Sequence, residues 1–355
     1  MLSSLVVVAT ILCAGDPPAK AAEPTAAQQY KNIQVLKDVP ASELDTLMDV
    51  MAGSLGVDCR FCHAEGGWDS DENHTKDDAR AMLKMTLSLQ KNEFDGKPEV
   101  TCWTCHHGDT HPATVPAVGK VKHERGERGG RGRGDQKFPA AAELFDKFTA
   151  AIGGADKAHA LTTRVVTANR IGDDGVSIPE VVKQKAPGKL LQLHDGSEMS
   201  TVGSDGEHVW FKDGNNSGEV GKSFAEQIRR EARFHQFVDL KTLYPNARVV
   251  GKDVLGDEET DVFVVEASKR GEPRERLYFD IDSGLLVRHV TEERTMLGPL
   301  PMQIDYDDWR DVDGVKLPFV TTWSTPGRSW RRIATKIEHG AKLDDAEFAM
   351  PAAKK

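Results

Sequence analysis

Two periodicities divide the chain. In the stretch "ASELDTLMDVMAGSLG" apolar residues recur every three or four positions, placing Leu44, Leu47, Met48, Met51 and Leu55 on one helical face. Ser42 followed by Asp45 suits an N-terminal cap, and Thr75 with Asp78 repeats that cap ahead of a second helix, "DDARAMLKMTLSLQ". Beyond residue 138 the pattern changes. A helix, "AAAELFDKFTAAIGG", stops at Gly153-Gly154. Short runs then follow, such as "TRVVTANR", "GKLLQLH", "HVWFK", "DVFVVEAS" and "GLLVRHVTEE". Asp195-Gly196, Asp205-Gly206, Asp213-Gly214 and Asp313-Gly314 punctuate them as hairpin turns. One further helix, "SFAEQIRREARFHQF", interrupts the strands. The fold class predicted is α+β in two domains, a small all-α part followed by a large antiparallel sheet with a few helices.

Each N-terminal helix leads into the same short pattern. "GVDCRFCHAEGG" carries Cys59, Cys62 and His63, and "VTCWTCHHGDTHP" carries Cys102, Cys105 and His106. Capped helix, connector and Cys-x-x-Cys-His occur twice, an internal duplication. A zinc ribbon would space its cysteine pairs by 15–20 residues, whereas 39 separate these, and it leaves both histidines unexplained. A redox dithiol belongs at a helix start in a βαβ context, which is missing here. Cys-x-x-Cys-His is the attachment signature of c-type haem. Two thiols at that spacing reach the two vinyl positions on one porphyrin edge, and the next residue supplies a neutral imidazole to the iron. Two covalently bound haems c are therefore expected, on Cys59, Cys62, Cys102 and Cys105, with His63 and His106 as iron ligands. Their macrocycles would form most of the core of this short, aromatic-poor segment.

The sixth ligand position decides between electron transfer and small-molecule chemistry. Met48 and Met51 precede the first motif, and Met82 and Met85 the second. Each pair sits three apart on one helix, so one member can face an iron while the other packs. His74, His107 and His111 are weaker candidates, and Arg60, Arg80 and Lys84 lie near enough in sequence to meet haem propionates.

Composition narrows the class. The chain has 355 residues, a net charge of −10 and a globular share of hydrophobic residues, 39%. An acidic protein does not suit nucleic acid. Residues 30–117 hold eight Lys/Arg against fifteen Asp/Glu, so a redox partner with a basic docking surface is expected. Residues 1–22 read as a signal peptide, with an apolar run from Leu5 to Ala14 and Ala19-Lys20-Ala21 at a cleavage site, although no Lys or Arg precedes the run. This places the protein in the periplasm, with membrane attachment left open. Removing the leader removes Cys13 and leaves four cysteines, all in the two motifs. Residues 118–137 are a Gly- and Arg-rich flexible linker. The domains expected are therefore 23–117 and 138–355.

"VLKDVPASELDTLMDVMAGSLGVDCRFCH", "DDARAMLKMTLSLQ" and "VTCWTCHHG" resemble the cytochrome subunit of photosynthetic reaction centres over about residues 30–112. In that family the helix of each unit supplies a Met to the haem of its own motif. The resemblance implies Met48 and Met82 as those ligands, and two haems passing electrons along a wire. The family typically carries four haems, against two motifs here, and lacks this C-terminal part. "ELFDKFTAAIGGADKAHALTTRVV", "LYFDIDSGLLVRH" and "IDYDDWRDVDGVKLPF" resemble outer-membrane lipoprotein-sorting proteins. That likeness implies a curved, half-barrel-like sheet with an apolar concavity of lipid or quinone size. The function expected is a periplasmic dihaem c-type cytochrome relaying single electrons, with a C-terminal domain that docks a partner, a membrane, a lipid or another ligand. The alternatives are an enzyme reducing a small molecule at an open iron, and a lipid carrier with structural haems. No catalytic side chains are assigned.

Overall fold

The computed structural model describes residues 23–351 apart from 65–66, 113–137, 195–200, 215, 256–259, 268–274 and 327. The leader, the 118–137 linker and the Asp195-Gly196 turn lie outside the described residues.

Helices α1 (Ala26–Gln29), α2 (Leu44–Leu55), α3 (Thr75–Glu93) and α4 (Cys102–His106) form the N-terminal part. The predicted stripe on α2 is inward, with Leu44 and Leu47 buried and Met48 and Met51 packed beside them. Neither predicted cap forms. Ser42 lies inside a 3-10 turn, Ala41–Glu43, that runs straight into α2, and its hydroxyl is buried without a partner. Thr75 is the first residue of α3, and its hydroxyl donates to the Phe61 carbonyl at 2.7 Å. Helix α2 ends at Gly56, which has φ +68°, and a Cβ there would lie 2.2 Å from the Gly108 carbonyl oxygen. Glycine is thus required both for the left-handed conformation and for the approach of α2 to α4. The Gly108 N–H donates to the Ser54 carbonyl at 2.9 Å across that contact.

The C-terminal part is one antiparallel sheet. Its first half is β1 (Thr163–Gly172), β2 (Ser177–Lys185), β3 (Lys189–His194), β4 (Thr201–Ser204), β5 (Val209–Asp213) and β6 (Asn216–Glu219). The second half is β7 (Arg248–Leu255), β8 (Thr260–Ala267), β9 (Glu275–Asp280), β10 (Leu286–Thr295), β11 (Gly298–Val312), β12 (Val315–Thr325) and β13 (Arg328–His339). Each half is a meander, and β1 pairs with β13 at the centre, Arg164 opposite His339. The order β6-β5-β4-β3-β2-β1-β13-β12-β11-β10-β9-β8-β7 leaves β6 and β7 as edges of a curved, unclosed sheet. Asp205-Gly206 and Asp313-Gly314 sit in the loops between β4 and β5 and between β11 and β12, and Asp213 ends β5 with Gly214 following it toward β6. Helices α7 (Lys222–Ala232) and α8 (Leu240–Leu243) connect the two edges. Helix α5 (Ala141–Ala151) inserts Phe145 and Phe148 against Val265, Leu277, Phe279 and Tyr306. The short helix α6 (Ala155–Ala160) follows it.

The two parts share a core. The turn between β10 and β11 carries Leu297, fully buried in a cluster with Leu36, Leu44, Leu47, Leu83 and Leu300. Gly298, at φ +128°, comes so close to the second motif that a Cβ would lie 2.9 Å from Thr101 Cγ2. On the other side, Arg328 of β13 pairs with Asp49 of α2.

Leu297→Ala should therefore cost about 2–4 kcal/mol of unfolding free energy, the usual price of truncating a buried leucine. In a denaturant titration, helix and sheet signals should be lost together; two separate transitions would show independent parts. At the same junction, burial together with Glu43 and Glu226 pushes Glu293 up to about 7. Its folded pKa lies above the unfolded value of about 4.3, so the folded state holds the proton more tightly. Stability should therefore fall as pH rises from about 4 to 7. Glu293→Gln should remove that loss, adding roughly 1–2 kcal/mol at pH 8 and little at pH 4, as read by chemical unfolding at both values.

Candidate haem sites

The first motif starts in a 3-10 turn, Cys59–Phe61, whose preceding Asp58 accepts from the Arg60 N–H at 2.9 Å. The second is the five-residue helix α4 itself, and the Thr101 N–H donates to the Thr104 hydroxyl at its start. Despite this difference in backbone, both motif histidines make the same bond. His63 Nδ1 lies 3.1 Å from the Trp68 carbonyl, and His106 Nδ1 lies 2.9 Å from the Asp109 carbonyl. A carbonyl only accepts, so Nδ1 carries the proton and Nε2 keeps its lone pair for a metal. Ligating histidines are oriented in this way by a second group. Burial pushes the His63 pKa down and nearby Lys76 adds to it, so this imidazole is held neutral, the form that ligates.

The four cysteines are free thiols. Burial pushes Cys62 and Cys102 up. The pairs do not converge. Among the described residues the His/Cys/Asp/Glu set close enough to hold a metal is His159, His235 and Asp239, far from either motif in sequence.

The surroundings fit a large flat apolar group. Met82, Met85 and Leu89 lie on one stripe of α3, and Met82 and Met85 are 46% and 53% exposed. Phe61, Trp68 and Trp103, inside or beside the motifs, are exposed as well. So much apolar surface on so small a segment marks a place where something is covered. Met48 and Met51 differ, being half-buried against the shared core. The expected ligands Met48 and Met82 therefore sit in unlike settings.

The N-terminus of α3 is tied to the first motif, since Asn73 and Thr75 both donate to the Phe61 carbonyl. Its C-terminus is tied to the second, because Gln90 Nε2 donates to the Val100 carbonyl at 2.8 Å. Arg80 is committed to Asp71 and Asp77, at 2.8 and 2.9 Å, whereas Arg60 and Lys84 are exposed. His74 precedes α3, His107 packs edge-on to Trp103, and His111 is exposed. Sequence patterns did not reveal the Trp68 and Asp109 carbonyls or the Arg328–Asp49 pair. Backbone acceptors carry no residue signature, and Arg328 arrives from 279 positions away.

In the sheet, a cavity of about 120 Å³ lies among β1, β2, β9–β13 and the 227–244 segment. Its wall is mostly apolar, with charged groups among the apolar ones. Phe237, Tyr306 and Trp323 occupy its wall, and Arg164, Arg230, Arg233 and Arg332 line it. Among the described residues no helix is long and apolar enough to cross a membrane.

Residues 4–178 match the family model described as photosynthetic reaction centre cytochrome C subunit. The photosynthetic reaction center cytochrome c subunit of Thermochromatium tepidum is 33% identical over 100 residues, 27% of this chain and 25% of that protein. Cytochrome c-554 of Chloroflexus aurantiacus is 34% identical over 89 residues, 22% of each chain. This chain thus spans about a quarter of the length of the curated relatives it matches. Two crystal structures are similar to the sheet. One, described as an outer membrane lipoprotein-sorting protein domain from Vibrio parahaemolyticus, has 12% identity and a TM-score of 0.41, covering 58% of this chain and 94% of that one. The other, a LolA superfamily protein from Nitrosomonas europaea, has 11% identity and a TM-score of 0.40, covering 60% and 98%. The N-terminal half of this chain therefore resembles the photosynthetic reaction centre cytochrome C subunits, a likeness that implies covalently bound haem c.

Proposed function

We propose that this protein is a dihaem c-type cytochrome that relays single electrons between redox partners on the periplasmic side of a membrane. The observation that carries the proposal is the repeated Nδ1-to-carbonyl bond, which frees Nε2 in both motifs at 3.1 and 2.9 Å. Cys59 and Cys62 would hold one haem and Cys102 and Cys105 the other, with His63 and His106 as the first axial ligands. Met48 and Met82 would be the second axial ligands, and thioether ligation raises the reduction potential over a bis-histidine site. When bound, each haem supplies reversible one-electron transfer.

The chain's own residues set the conditions for that transfer. Asn73, Thr75 and Gln90 fix α3 against both motifs, so the two sites are held by one rigid element. The exposed stripe of α3 becomes apolar wall, which lowers the local dielectric around an iron. The acidic surface of residues 30–117 steers a partner whose docking face is basic. The sheet would then dock a partner or bind a ligand, and its contacts through Leu297 and Arg328 keep it beside the haem segment.

A pyridine haemochrome assay with intact mass should give two covalent haems per chain. The double variant Cys59→Ala/Cys62→Ala should retain one. Bound zinc without haem would sink the reading. If both methionines ligate, the reduced wild-type protein should show little spectral response to carbon monoxide. Met48→Ala or Met82→Ala should each open one iron, so that about half of the haem shifts on carbon monoxide addition. A response of all the haem in the wild type would instead favour small-molecule chemistry at an open site.

A further inference from the structure

The cavity of the sheet gathers arginines against a single lining carboxylate, Glu231, and Arg230 also acts at longer range on Glu275 and Glu293. Four arginines line it. Arg332 is fully compensated: it donates to Glu180 from Nε and Nη2, at 2.5 and 2.8 Å, and to Glu231 from Nη1 at 2.6 Å. Arg164, Arg230 and Arg233 have no carboxylate in ion-pair contact among the described residues. Arg164 is nonetheless held in place. Its Nη1 donates to Gln184 Oε1 at 3.2 Å and its Nε to His339 Nε2 at 3.3 Å, and its guanidinium lies 4.7 Å over the Phe234 ring. Gln184 is itself anchored, donating to the Glu231 carbonyl at 2.9 Å. Burial alone pushes Arg164 down to about 10, so the guanidinium is desolvated with no carboxylate beside it.

Taking a guanidinium out of water without an anion is costly, and a fold that positions one this carefully leaves the anion to come from elsewhere. The rest of the wall is apolar, with Val182, Leu277, Leu286, Met302, Leu317 and Phe319 among its members. At about 120 Å³ the cavity compares with the engineered cavity of about 150 Å³ that takes one benzene.

We propose that this cavity binds a small organic acid, one carboxylate on an apolar body about the size of a single ring, with Arg164 as the carboxylate anchor and Arg230 and Arg233 completing the cationic end. An arginine fork matches a carboxylate in two parallel hydrogen bonds, and the apolar wall excludes the water that would compete. This gives the sheet portion of the proposed function a ligand, and electron relay by the haems is untouched if it fails.

The test is calorimetric titration of the full haem-bearing protein with benzoate, octanoate and benzyl alcohol, and co-sedimentation with phosphatidylglycerol vesicles. Benzoate, octanoate or both should bind one-to-one, about tenfold or more tightly than benzyl alcohol, which keeps the ring and lacks the charge. Arg164→Gln should weaken carboxylate binding about tenfold or more, and Arg164→Lys should recover part of it. The haem content and reduction potentials should not move in either variant. Absence of saturable carboxylate binding, equal binding of benzyl alcohol, or unchanged affinity in both Arg164→Gln and Arg233→Gln would overturn the proposal. Binding to vesicles without binding of the free acids would overturn it in favour of a lipid surface. Should Arg164→Gln fail to fold, the wild-type comparison of benzoate with benzyl alcohol still decides.

Discussion

The helical segment does not complete its apolar core from its own residues. In this protein the β10–β11 turn makes up part of the deficit. Leu297 and Leu300 complete a cluster otherwise built from Leu36, Leu44, Leu47 and Leu83, and the macrocycles proposed on the two motifs would cover Met82, Met85 and Leu89. The helical part therefore depends on groups from outside its own stretch of sequence on two faces. That dependence explains Gly298 beside Thr101, where the sheet's turn must approach the second motif more closely than a side chain allows; Gly56 beside Gly108 does the same within the helical part, between α2 and α4.

The sheet solves a different problem at its centre. Strands β1 and β13, the first and last of the sheet, meet there, and Glu180 of β2 is buried against them. Arg332 and His194 hold Glu180 well below the usual carboxylate range, against the opposing effect of burial. Such a pair adds little net stability over an apolar replacement, but it cannot lose one partner cheaply. Further along the same face, His289 and Tyr244 hold Glu275 at about 2. The inner face thus mixes compensated carboxylates with arginines that lack them, unlike the uniformly apolar concavity that the sequence likeness suggested.

Local rules read much of this from residue patterns alone. The helix stripe around Leu44 and Leu47 and the turns at Asp205, Asp213 and Asp313 rest on interactions within a few positions and appear where expected, whereas the helix expected over 223–237 ends at Ala232, where Arg233 turns extended. The caps at Ser42 and Thr75 failed because a longer-range demand won. The chain enters α2 through a 3-10 turn at Ser42, and the Thr75 hydroxyl is drawn to the Phe61 carbonyl. Large side chains, among them Phe237, Tyr306 and Trp323, occupy the wall of the sheet's cavity, a detail that strand periodicity does not carry.

The sequence by itself determined the chemistry of the motifs. Thiol, thiol and imidazole at fixed spacing are a local arrangement, and no tertiary contact is needed to recognise it. Only the tertiary structure decided which nitrogen of each imidazole is free, since that depends on the Trp68 and Asp109 carbonyls meeting Nδ1. It also decided that the sheet closes the core of the helices through Leu297, and that one cavity is lined by Arg164, Arg230 and Arg233, none of them in ion-pair contact with a carboxylate among the described residues. The two histidine bonds are local, five and three positions apart, but their acceptors are backbone carbonyls that carry no residue signature; the other two facts join residues dozens to hundreds of positions apart, where periodicity carries no signal and only packing brings the groups together.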